Sequence, residues 1–209
     1  MKKSKIATTI VEAMVVTIIV VLGLTGVYTI YSSSIKLSTQ TENKIQAIQI
    51  AREGIEAVTN IRDTNGLLFG SNIDNCWKVL DYNNNCLLGT TGFNNIVDNG
   101  DYRVYRDINN RWILESALAS IGNSFTNINY KNFYKIYLDS NGLYTHSTGN
   151  DTKILYTRQI KTRYLNPNTG LVQATATDGL LITSIVRWSD SSSSELNEVK
   201  LETILTNYK

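Results

Sequence analysis

Between Lys5 and Lys36 the chain carries one charged residue, Glu12, which stands at the head of an apolar run from Ala13 to Tyr31. As a helix rising about 1.5 Å per residue, that run is about long enough to cross the roughly 30 Å hydrocarbon core of a bilayer. An ionised side chain near the middle of such a helix costs roughly 2.5–3.5 kcal/mol on insertion scales, so a lone Glu marks a functional position until a partner is found. No Lys or Arg lies within the stretch, so the partner has to come from elsewhere. A cleaved secretory signal would show an apolar stretch of about 7–15 residues closed by a small-residue cleavage site. This run instead continues past Gly26 to Tyr31 and merges into a helical pattern. Lys2, Lys3 and Lys5 face an uncharged far flank, which predicts a cytoplasmic N-terminus and an extracytoplasmic remainder.

After Tyr31, apolar residues return at Ile35, Ile45, Ile48, Ile55, Val58 and Ile61 with helical spacing, and Ala47, Ala51 and Ala57 fill between them. Lys36, Thr41, Glu42, Gln46, Gln49, Arg52, Glu53, Glu56 and Arg62 are assigned to the other surface, as in a helix with one face packed on a domain. Asp63-Thr64-Asn65-Gly66 is the expected stop. A helix from Thr8 to Arg62 would measure on the order of 80 Å, more than a domain of this size needs for itself.

Beyond Gly66, short β-prone runs alternate with Asn, Gly and Asp turns, which predicts an antiparallel sheet built from hairpins. Asp101–Tyr105 and Arg111–Leu114 flank Asn109-Asn110, and Tyr134–Leu138 leads through Asn141-Gly142 into Leu143-Tyr144. Three longer alternating runs follow, Lys153–Tyr164, Leu180–Trp188 and Glu198–Leu205, the last two joined by a polar loop of Asp190 and Ser191 to Ser194. No repeat at solenoid or propeller periods is evident. The fold class is α+β.

The formal charge is +2, with basic residues scattered along the chain, so no footprint for a phosphate backbone exists and nucleic acid is not the expected partner. Cys76 and Cys86 suit a disulfide in an oxidising compartment, with two free buried thiols as the alternative. A third Cys is lacking and His146 is the single histidine, so a four-ligand zinc site cannot be built from Cys and His. His146 reads as an exposed loop residue and Ser191–Ser194 as a linker without a nearby base. Asp139, Asp151 and Asp178 adjoin turn residues, where Asp caps backbone amides, and Asp139-Ser140-Asn141-Gly142 is too short for a calcium loop. The tyrosines suit half-buried strands better than an adhesive face. The chain is expected to be no enzyme and to need no cofactor or metal.

A short basic leader, a small residue, a Glu five positions on and an apolar helix entering a globular part together resemble the class III signal of type IV pilins and pseudopilins. The usual form there is Gly followed by Phe-Thr-Leu-Ile-Glu. Aligned on the acid, Ala7 takes the place of the Gly before the cut and Thr8 that of the Phe that becomes the new N-terminus. Thr9, Ile10, Val11 and Glu12 take the four positions that follow. Ala47 to Asn65 looks like the end of the long helix of minor pilins, and Ile185-Val186-Arg187-Trp188 with Val199–Leu205 is similar to their C-terminal hairpin. The resemblance implies a leader (1–7), a transmembrane and filament-core helix (8–31), its amphipathic continuation (32–65) and a β-rich ectodomain (66–209). It implies cleavage after Ala7 by a prepilin peptidase, methylation of the new amine, and assembly through Glu12. The implied partners are other pilin-like subunits, the inner-membrane assembly platform and the cytoplasmic membrane. A minor pilus subunit is favoured because Thr8 replaces the usual aromatic. The rivals are a type II secretion pseudopilin and an anchored binding module that never polymerises. Gly23 and Gly26 would let the helix bend, or else serve close packing of membrane helices.

Overall fold

The computed structural model describes residues 4–88, 94–107, 109–138, 142, 144–146, 152–173, 179–189 and 196–207, with the side chains of 4–8 and 152–155 outside that description. Two compact units divide between Ile45 and Gln46. The first is the N-terminal part of helix α1 (Ser4–Leu68), which runs unbroken through Gly23 and Gly26.

The second unit begins with the rest of α1, where Ala47, Ile50, Ala51, Ala57, Val58 and Ile61 form a buried stripe at three- and four-residue steps. Among the described residues, seven strands make one antiparallel sheet: β1 (Gly100–Arg106), β2 (Trp112–Ser116), β3 (Lys135–Leu138), β4 (Tyr144–Thr145), β5 (Thr152–Leu165), β6 (Gly179–Ser189) and β7 (Leu196–Thr206). β5 is central, with β6 and then β7 along one edge. Its other edge is shared by β1, which carries β2, and by β3, which carries β4. Period-two alternation sends Ile160 of β5, Tyr102 and Val104 of β1, and Leu180 and Ile182 of β6 onto Ala57, Val58 and Ile61 of α1. A second cluster joins Ala47, Ile50 and Ala51 to Ile136, Tyr156, Val186, Trp188 and Val199.

The opposite face is covered in part by the 3-10 turn Ala119–Ile121 and a short helix, here α3 (Ile128–Tyr134), whose tyrosines are buried. Another short helix, α2 (Ile73–Cys76), leads to a disulfide between Cys76 and Cys86, which replaces the alternative of free thiols. Phe69 and Val79 pack around it.

All three long alternating runs are strands, and both short hairpins are present as β1–β2 and β3–β4. Four expectations need correction. Helix α1 ends at Leu68, beyond the Asp63–Gly66 stop, because Asn65 is buried and its side-chain amide donates to the carbonyls of Trp77 (3.3 Å) and Val79 (2.8 Å). Tertiary partners thus outweigh the local stop signal. Arg62 is buried rather than on the solvated face, with its guanidinium on Asp63 and on the carbonyl of Thr206. Glu53 is half-buried against Arg158. His146 is buried, not an exposed loop residue, and its Nδ1 lies 2.6 Å from the carbonyl oxygen of Lys135. The acids Asp139, Asp151 and Asp178, residues Asn141 and Leu143, and the loop of Asp190 and Ser191–Ser194 lie outside the described residues.

Candidate functional site

In α1 from Ile10 to Tyr31, most positions are apolar, so no one face of the helix is set apart as polar. Among the described residues, the large apolar side chains from Ile10 to Tyr31 are 50–72 % exposed, an apolar surface much larger than a lone hydrophobic residue would make. The helix is long and apolar enough to cross a membrane.

Its hydroxyl groups suit that setting. Thr17 donates to the carbonyl of Met14, Thr25 to Leu22, Thr29 to Thr25, Ser33 to Thr29 and Ser34 to Ile30, at 2.8–2.9 Å. A hydroxyl bonded to its own helix needs no water, so these residues add little polar cost in an apolar medium. Glu12 has no such recourse. A carboxylate accepts hydrogen bonds only, helix carbonyls offer it none, and among the described residues Glu12 has no ion pair or hydrogen bond. Positions 8 and 12 are one helical turn apart. Both Ala7 and Thr8 lie in the backbone of α1, and their side chains fall outside the described ones.

In the second unit the sheet holds a buried ion pair that sequence reasoning missed. Arg158 is fully buried, its Nη1 donating to Glu53 Oε2 at 2.9 Å and its Nη2 to the carbonyl of Val104 at 3.0 Å. Burial lowers the Arg158 pKa, and the Glu53 carboxylate works against that shift. The only signal in the sequence was an Arg placed among the inward positions of an alternating strand. Beside it, burial, with the Arg158 charge second, pushes the His146 imidazole down to about 3, so it stays neutral and donates from Nδ1 to Lys135. Among the described residues no three His, Cys, Asp or Glu side chains converge as metal ligands.

A long N-terminal helix, apolar in its first part, joins a segment packed on an antiparallel sheet with a short disulfide loop after it. The architecture is pilin-like. Comparison with family models, curated proteins and solved structures finds no match.

Proposed function

We propose that the chain is a structural, non-catalytic subunit of a type IV pilus-type filament, most like a minor subunit. A prepilin peptidase on the cytoplasmic face cuts after Ala7 and frees the amine of Thr8, which is then open to methylation. Glu12 in one subunit pairs with that amine on a neighbour, which removes an uncompensated carboxylate from a low-dielectric setting and fixes the register between helices. The helix first holds the subunit in the cytoplasmic membrane with the sheet domain outside. The assembly platform then draws it into a filament, whose core is built as apolar helices cover one another at about 25 cal/mol per Å² removed from solvent.

The observation that carries this reading is Glu12, a lone acid in a helix whose large apolar side chains are exposed among the described residues. A plain anchor has no use for a carboxylate there. The test is Glu12→Ala, followed through membrane fractionation and filament preparations. Normal membrane insertion with loss of incorporation supports assembly through Glu12. Unchanged incorporation rejects it.

A further inference from the structure

On the sheet face turned away from α1, Ala119 and the Gly122-Asn123 step before α3 border a cleft that runs along Asn99–Asp101. One lobe, about 340 Å³, reaches towards Ser116–Ala119 and Asn123. The other, about 390 Å³, reaches over Lys161 and Arg163 of β5 and Thr183 of β6.

A single buried amide organises the floor. Gln159 is fully buried, and its Nε2 donates to Asp101 Oδ1 at 2.8 Å and to Asn123 Oδ1 at 2.7 Å. Its Oε1 accepts from the Tyr130 hydroxyl at 3.0 Å and from Arg187 Nη1 at 3.2 Å. Lys161 Nζ, 3.3 Å from the same Asp101 oxygen, offsets the carboxylate charge. Among the described residues, Asp101 Oδ2 and Asn123 Nδ2 have no partner, so an acceptor and a donor stand side by side on one anchored amide.

The otherwise polar rim carries two exposed apolar side chains, Val97 at 52 % and Leu118 at 73 %. It is also pre-formed. The Val97 N–H donates to the Tyr102 hydroxyl, the Val97 carbonyl accepts from Thr162 Oγ1, and Asp98 accepts from the Tyr164 N–H, each at 2.8 Å. Asn99 turns the chain with φ 53°, a left-handed conformation in which Asn is enriched.

We propose that this cleft binds a hexose unit of a saccharide. Adjacent hydroxyls each donate and accept, which matches the Asp101–Asn123 pair, while the C–H face of a pyranose matches Val97 and Leu118. Ligand sites run from about 300 to 1,000 Å³, and the lobes here lie at the end of that range suited to one or two rings. An extended peptide is disfavoured because β1 is paired on both sides, by β2 and β5, and offers no open strand edge at the cleft.

The test is saturation-transfer NMR and titration of the full chain, in micelles of a detergent without a sugar headgroup. The probes are the methyl glycosides of glucose, galactose, mannose and N-acetylglucosamine, with triglycine as the peptide probe. The expected result is saturable millimolar binding of at least one glycoside, weakened about tenfold by Asn123→Ala, the loss of one hydrogen bond. Leu118→Asp, at an exposed rim position, weakens it comparably without changing the melting temperature. Failure of all four glycosides to saturate, binding that survives both substitutions, or binding of triglycine alone would overturn the proposal.

Discussion

Glu53 and Arg158 lock α1 to the sheet, and the residues around them set the tolerance of that contact. Breaking a buried pair is costly because one charge is left uncompensated. Glu53→Gln is therefore expected to destabilise the domain by about 3 kcal/mol, and Glu53→Leu with Arg158→Met to recover most of it, both read from urea denaturation of the full chain. Gly54 lies at the closest approach, where an added Cβ would come within 2.7 Å of Ser184 Oγ and 2.9 Å of Ile160 Cδ1. Gly54→Ala gains helix propensity of about 1 kcal/mol yet overpacks the contact, so a net loss of about 1 kcal/mol in the same assay is expected. His146 adds a pH dependence. Its folded pKa, about 3, is below the ordinary histidine value of about 6.5, so the unfolded chain takes up the proton first as pH falls. The stability from neutral His146 is whole above about pH 6.5 and is lost as pH falls from there towards 3. Melting temperatures from pH 7 to 4 should fall less steeply in His146→Asn, which keeps a donor for the Lys135 carbonyl.

Among the elements, the strands were the most legible, because period-two alternation over Lys153–Tyr164, Leu180–Trp188 and Glu198–Leu205 forces one face inward whatever the neighbours. Helix α3 was missed because Ile128–Tyr134 is short and its aromatic-rich run of INYKNFY shares the composition of the strand that follows it. The end of α1 was misplaced by a few residues because the stop signal was local, whereas Asn65 takes its partners from Trp77 and Val79. The partner of Arg158 could not be read from the sequence, since Glu53 lies 105 residues away, and the burial of His146 depends on packing that a hairpin signal does not show. The disulfide was readable only as one of two options. It closes a loop of ten residues' separation, so Cys76→Ser with Cys86→Ser is expected to cost about 2–3 kcal/mol by the same denaturation assay.

For the molecule as a whole, the apolar helix and its acid were legible from the first residues, since one acid among uncharged residues from Ile6 to Ile35 stands out in the sequence itself. The Asp101–Asn123 cleft was not, because it is assembled from β1, β5 and the segment before α3 by one buried glutamine. Under the proposed function the mature protein begins at Thr8, because the amine that pairs with Glu12 does not exist until the leader is cut. The most direct measurement is the intact mass and N-terminal sequence of the protein from membranes of a host carrying a prepilin peptidase. The account predicts a start at Thr8, with or without one methyl group on the amine. A retained Met1–Ala7 leader would contradict it and leave a plain membrane anchor.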